Sequence, residues 1–443
     1  NSMGQFDPQF DVFGPIVMPE PSTYYGKNDN AGNDKNPQEM IVTACQMIDD
    51  LVDFSKYDND DDGYIDVVHV IFAGEGENNT QVADDIWPHS WSIDKRTQLD
   101  GKILGDYVCT CELYGEKKDG IGVFCHEFCH ALGLPDTYNT SNTNNYINGA
   151  YDLMDEGLYL GTCPDSNERR GGRRPAALNA YARYELGWLA PVLLEGNKYI
   201  NDLIPGKDTI QKDEHLSIIV DIFDTVPRFT PDTLPCLVTS NQALILPVWS
   251  DSDDPRDGEY YIFENRQQTG WDALIPGHGM LVWHIDYDKA IWNANKVNYE
   301  LNHPCIDLLK ADNRSSGGSA DYDPFPGPLH KYTSLSPTTK PALLGWDNRG
   351  KGSGKSQPIN NTCLSDIHEI TVGYISKTEP VIVLSVTDDG PDRYSFYVDI
   401  EDVWQDEIRD NEKSSRPQRI WRDGQLLIVT PAGTFDLQGH RIE

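Results

Sequence analysis

Residues 120–138, GIGVFCHEFCHALGLPDTY, constrain this chain more than any other stretch of its 443 residues. His126 and His130 lie four apart in an apolar window, so the spacing predicts a helix with both imidazoles on one face, one turn apart. Two imidazoles so placed can reach a single Zn²⁺ at about 2.0–2.1 Å. Glu127 is offset around that helix, which sets its carboxylate beside the ion instead of on it, where it can take a proton from water. Gly133 predicts the helix stop, because glycine enters the left-handed conformation cheaply, and Pro135 prevents resumption. The turn that follows brings Asp136 to the third-ligand place of an HExxHxxGxxD pattern and leaves the fourth tetrahedral position open, as a catalytic zinc needs. The bland alternative is a chance HExxH on a surface helix, and Gly133, Pro135 and Asp136 in the same register argue against it. Glu156 stands further along as an alternative third ligand.

A second cation motif precedes the first. In DNDDDGYID, Asp58, Asp60 and Asp62 alternate, followed by Gly63 and Asp66, which matches positions 1, 3, 5, 6 and 9 of a calcium loop, with the Tyr64 carbonyl at position 7. The glutamate expected at position 12 is missing, since His69 stands there. The reading is an incomplete calcium loop of structural purpose, against the alternative of a solvated acidic turn; four carboxylates so close repel one another without a cation.

Charge narrows the partners. The 36 Lys and Arg against 71 Asp and Glu give a net charge of -35, which makes nucleic acid and anionic membrane surfaces poor partners. No run of 18 apolar residues occurs, so no membrane span is predicted. The first residues show neither a basic start nor an apolar stretch, and the expectation is that any signal or pro-segment precedes this numbering. Nine cysteines form no CxxC pair, which favours buried thiols with one or two bridges over a cysteine zinc cluster.

Residues 1–190 mix strand-like runs such as YIDVVHVIFAG with helix-like ones such as PQEMIVTACQMIDDLVDF and RPAALNAYARYELGW, an α+β pattern. Residues 191–401 carry short β-branched and aromatic runs (HLSIIVDIF, ALILPVW, EYYIFENR, GMLVWHID, EPVIVLSV, RYSFYVDI) between Gly, Pro, Asn and Asp, the pattern of a β-rich, sandwich-like domain. Residues 402–443 read as a charged linker followed by two strand-like runs broken at PAG.

HEFCHALGLPDTY followed by YDLMDEG resembles the immune inhibitor A family of zinc metallopeptidases, relatives of the metzincin clan. GQFDPQFDVFGP, VDFSKYDNDDDGYIDVVHVIFAG, IWPHSW, ARYELGWL and YYIFENRQQTGWDALIPGHGMLVWHID are similar to family sequence as well, in order, over about residues 4–290. The resemblance implies a metzincin-like catalytic domain with zinc held by His126, His130 and Asp136, Glu127 as general base, and Met154 in the turn beneath the metal. It also implies a secreted or cell-surface endopeptidase acting on proteins and peptides, kept latent by an N-terminal pro-segment. Metzincins at large place a third histidine where this chain has Asp136. Tyr138 and Tyr159 are candidates for a phenol that stabilises the transition state, and neither is assigned. The terminal run IWRDGQLLIVTPAGTFDLQGHRIE resembles the C-terminal sorting signals of Bacteroidetes proteins exported by the type nine secretion route; the alternative is a hairpin completing the β-rich domain.

Overall fold

A computed structural model describes residues 1–115, 117–141, 147–161, 171–193, 232–250, 255–314, 318–329, 331–335 and 339–346; beyond these it gives the backbone of the strands Pro358–Ile359, Ile367–Ser376, Glu379–Val386, Gln418–Arg422, Gln425–Thr430 and Gly433–Phe435. The strand-like runs HLSIIVDIF and RYSFYVDI and the linker 402–417 lie outside the described residues. Contacts divide the chain into one unit of residues 1–190, 268–276 and 288–307, and a second made of the remainder.

The first unit mixes α and β. Helix α1, Pro37–Ile48, begins with proline at its first position, where the missing N–H costs nothing. Met40, Ile41, Ala44 and Cys45 are buried on one face of α1, which the helical period groups together. The sheet is built on β4, Lys102–Tyr114, the longest strand of this unit. β1, Tyr64–Ile65, and β2, Val68–Glu75, run parallel to β4, while β3, His89–Leu99, runs antiparallel to it with Ser90 opposite Val108. A short β5, Lys117–Lys118, folds back on the end of β4. Ile41, Phe54, Ile65, Leu99, Leu104, Tyr107 and Cys109 belong to one buried cluster that joins α1 to this sheet.

Helix α2, Gly122–Ala131, carries the histidine motif. Its back face meets the N-terminal segment, where Phe6 and Phe10 pack on Phe128 with ring centroids 6.3 and 5.5 Å apart, and Phe10 meets Phe124 at 6.0 Å. Gly122 is pressed against the chain so closely that a Cβ there would stand 1.8 Å from the Leu158 carbonyl oxygen. The helix-like run 174–188 becomes a helix only at α3, Ala180–Glu185, with the Asn179 side chain accepting the Ala182 N–H. Ahead of it the chain follows Pro175 into a buried path in which the N–H groups of Ala177 and Leu178 donate to the Asp272 and Asn1 side chains, so that stretch does not need helical partners. Helix α4, Lys289–Asn293, is capped by the Asp288 carboxylate, which accepts from Ala290 and Ile291, and its Trp292 indole donates to the Tyr181 hydroxyl of α3 at 2.6 Å.

The second unit centres on three antiparallel strands: β6, Leu244–Ser250; β7, Gly258–Arg266; and β8, Gly279–Asp286. Leu246, Tyr261, Phe263, Met280, Val282 and Phe325 share its buried cluster. Every residue of β7 is buried, and the charge of Glu264 is answered by Arg266 and the Trp283 indole, at 3.1 and 2.9 Å. His284, a lone histidine in the sequence, stacks on Tyr261 and hydrogen-bonds the Glu259 carboxylate at 2.8 Å. Near the C-terminus the two strand-like runs correspond to three antiparallel strands, Gln418–Arg422, Gln425–Thr430 and Gly433–Phe435.

Replacing Gly122 with alanine is expected to destabilise the chain by about 1–3 kcal/mol, the usual cost of forcing atoms into a filled space. Urea unfolding followed by tryptophan fluorescence tests this, and an unchanged midpoint contradicts the close packing of α2 on the Leu158 turn.

Candidate metal centre

The metal helix ends as its sequence requires. Gly133 adopts φ +96°, and the Leu134 N–H returns to the Cys129 carbonyl at 3.1 Å, closing the helix with a left-handed stop. The reversal carries Asp136 under the helix, where its Oδ1 stands 3.1 Å from His126 Nε2 and 3.2 Å from His130 Nε2. A carboxylate oxygen of Glu127 and the two histidine nitrogens lie within 4.8 Å of one another. His126, Glu127 and Asp136 are buried.

The polarity of these atoms is set by their other hydrogen bonds. His126 Nδ1 lies 3.0 Å from the Leu153 carbonyl, and His130 Nδ1 lies 2.7 Å from the Leu134 carbonyl. A ring nitrogen facing a carbonyl must carry the proton, so in the neutral imidazole each Nε2 turns a lone pair inward. Asp136 Oδ1 is buried and accepts no directed hydrogen bond. With both imidazoles neutral, two nitrogen lone pairs therefore face Asp136 Oδ1, at 3.1 and 3.2 Å. Donors around a tetrahedral ion with bonds of about 2.0–2.1 Å stand about 3.3 Å apart, so this set fits zinc in size and chemistry.

Electrostatics point the same way. Burial is the largest influence on His130 and pulls it down, yet the Asp136 charge and contact, the Glu127 charge and the Leu134 carbonyl together lift the imidazole to about 9. Burial is also the largest influence on His126 and lowers it, but its contact with Asp136 and the Asp136 and Glu127 charges together leave it raised. Burial pushes Asp136 up, but the two histidines more than offset it and hold the carboxyl well below the usual range. Glu127 differs: burial dominates and raises it to about 7, the range of an effective proton acceptor near neutrality. The Ser90 backbone amide of β3 faces this carboxylate.

Met154 is buried in the loop whose Leu153 carbonyl orients His126, and the Met154 carbonyl accepts the Thr137 N–H at 2.9 Å, tying that loop to the Asp136 turn. Glu156, the alternative ligand, opens the 3-10 turn Glu156–Tyr159 two residues after Met154. The Tyr138 ring stacks over His126 with centroids 6.4 Å apart, and burial followed by the Asp136 charge pushes its phenol far above the usual range. Sequence reasoning missed two residues here, Ser90 and Asn295. The Asn295 side chain grips Asp136 from 159 positions away, with Nδ2 donating to Oδ2 at 2.7 Å and Oδ1 accepting the Asp136 N–H at 2.7 Å. No spacing signal could have found either one.

In the acidic loop, ligand oxygens of Asp58, Asp60 and Asp62 also lie within 4.8 Å of one another, and Gly63 turns the chain at φ +91°. Asp58 accepts the N–H groups of Asp62 and Gly63, both at 3.0 Å, and pairs with the Lys102 ammonium, which holds its carboxyl below the usual range. Tyr64 enters β1, and Asp66 turns to Asn59, whose N–H it accepts at 3.2 Å. The structure thus brings together three of the predicted carboxylates and turns Asp66 to a different partner.

Residues 1–189 match the immune inhibitor A peptidase M6 catalytic domain, and they form a domain of that family. Immune inhibitor A of Bacillus thuringiensis subsp. alesti is 29% identical over 29% of this chain and 23% of its own length. The pre-pro-metalloprotease PrtV of Vibrio cholerae serotype O1 is 24% identical over 55% of this chain and 27% of its own length. The chain therefore spans about a quarter of the length of these curated relatives.

With His130 protonated up to about 9, zinc must displace protons to bind. Calorimetric titration at pH 7 in buffers of different ionisation heat is expected to show about one to two protons released per zinc, with affinity falling as pH drops from 8 to 5. Zinc uptake without proton release contradicts this arrangement.

Proposed function

We propose that this chain, whose residues 1–189 are a peptidase M6 catalytic domain, is a secreted zinc endopeptidase that hydrolyses peptide bonds in proteins. One observation carries the reading: two imidazole nitrogens stand 3.1 and 3.2 Å from one carboxylate oxygen, separations that suit the ligands of a tetrahedral ion, with the raised Glu127 carboxylate beside them. His126, His130 and Asp136 would hold the zinc, which when bound supplies Lewis acidity toward water and the scissile carbonyl. Glu127 takes the proton from the attacking water and returns it to the leaving amine; burial, which raises it to about 7, suits it to both transfers. The loop at Leu153 and Met154 keeps His126 in the tautomer that the ion needs. Its metzincin-like role rests on that contact and on the family resemblance.

Among the described residues β3 pairs with β4 alone, so its other edge is open for an extended peptide. Ser90 on β3 faces Glu127, which places that edge beside the reacting groups, and Trp91 next to it is 62% exposed. A peptide lying antiparallel on this edge gains main-chain hydrogen bonds and presents its carbonyl to the centre.

Calcium is the second cofactor of this reading, held by Asp58, Asp60 and Asp62 in a structural site for which Lys102 competes. Secretion is supported by the family and by a calcium site suited to the higher calcium levels outside cells. Among the described residues no helix is long and apolar enough to cross a membrane.

Casein hydrolysis by the purified chain is expected to stop on zinc chelation, and to fall at least a thousandfold in Glu127→Ala while that variant keeps one zinc per chain. Activity that survives either treatment sinks the mechanism. Millimolar calcium is expected to raise the melting temperature of the parent but not of Asp60→Asn/Asp62→Asn, and equal responses in both proteins count against the calcium site.

A further inference from the structure

Asp136 offers a metal only one well-defined oxygen, because something else holds the other. Asn295 is that group: its amide meets both the backbone and the side chain of Asp136, accepting the N–H through Oδ1 and donating to the carboxylate Oδ2 through Nδ2, each at 2.7 Å. The pairing also fixes which amide atom is which, since the peptide N–H needs an acceptor and the carboxylate a donor. Oδ2 is occupied, and Oδ1 is left facing the two Nε2 atoms without a donor of its own.

Asn295 has an ordinary structural duty too, and the two must be told apart. It follows α4 with φ +52°, and the next N–H, that of Lys296, reaches back to the Ile291 carbonyl at 3.1 Å, the closing bond of a left-handed helix stop. Glycine performs that duty at least as well as asparagine. A glycine could not grip Asp136. The position is also firmly supported: Trp292 is buried and bonded to Tyr181, Thr140 Oγ1 donates to the Asn295 carbonyl at 3.3 Å, and three residues on Asn298 donates to the Thr137 carbonyl at 2.6 Å. The turn that carries Asp136 is thus stitched to the loop after α4 at Asn295 and again at Asn298, while Trp292 anchors α4 itself to Tyr181.

We infer that Asn295 is a positioning residue for the metal: it sets the rotamer of Asp136 and keeps that carboxylate a one-oxygen ligand, so that residues 288–307 complete a centre whose ligands all come from residues 126–136. This rests on the zinc reading above. Removing an outer hydrogen bond of this kind typically weakens metal binding 10–100-fold.

Zinc dissociation constants, measured by competition with a chromophoric chelator, test it on the parent, Asn295→Gly, Asn295→Asp and Asp136→Ala. Asn295→Gly keeps the left-handed stop but gives up two hydrogen bonds to Asp136, so the metal-free protein is expected to stay folded and melt no more than about 5–8 °C below the parent, while its zinc constant rises about 10–100-fold. Asn295→Asp, which replaces the donor with a second carboxylate, is expected to weaken zinc further and to alter the visible spectrum of the cobalt-substituted protein. If the parent binds zinc, Asp136→Ala loses it and Asn295→Gly binds as tightly as the parent, the clamp is overturned and the zinc reading stands. A parent that takes up no zinc overturns the zinc reading itself.

Discussion

Three lone pairs that face one another are the constraint on which this catalytic unit depends. With both imidazoles neutral, His126 Nε2, His130 Nε2 and Asp136 Oδ1 would repel in a dry pocket; a proton on His130 relieves the conflict in the metal-free protein, and a bound cation would relieve it in the proton's place. The rest of the unit holds that conflict in place: the Leu153 and Leu134 carbonyls fix the two tautomers, Gly133 makes the reversal, and Asn295 occupies the spare carboxylate oxygen. These supports come from three separate parts of the chain, at 133–134, 153 and 295, so the site exists only when the unit has folded.

Such a site is costly without its ion, and the fold answers that cost with packing. α2 is fixed on its back face by the N-terminal phenylalanines and at its start by Gly122 against the Leu158 carbonyl. Glu127 is raised to about 7 by the same burial that makes the ligands strong. One environment therefore acts on both carboxylates, which differ in what they face: Asp136 meets two imidazoles, whereas Glu127 is dominated by its loss of water.

Much of the centre was legible in the sequence because its chemistry is local. The i, i+4 histidines, the glycine stop and Asp136 lie within eleven residues, and their geometry follows from helix periodicity and one left-handed turn. What escaped was non-local. Asn295 reads as a helix stop and Ser90 as an ordinary strand residue until the fold sets them beside Asp136 and Glu127. In the acidic loop the contacts are likewise partly non-local: Asp66 accepts from Asn59 within the loop, but Lys102 arrives at Asp58 from β4, 44 residues on. The run at 174–188 has helical composition, yet Asp272 and Asn1 supply partners to its first N–H groups and delay the helix to Ala180.

Anomalous-difference crystallography at the zinc edge on the zinc-loaded chain tests the central claim most directly. The account predicts one ion per chain, bonded to Nε2 of His126 and His130 and to Oδ1 of Asp136 at about 2.0–2.2 Å, with Glu127 nearby but outside bonding distance. An ion ligated by Glu127 or Glu156 in place of Asp136, or no ion between the histidines, would contradict it.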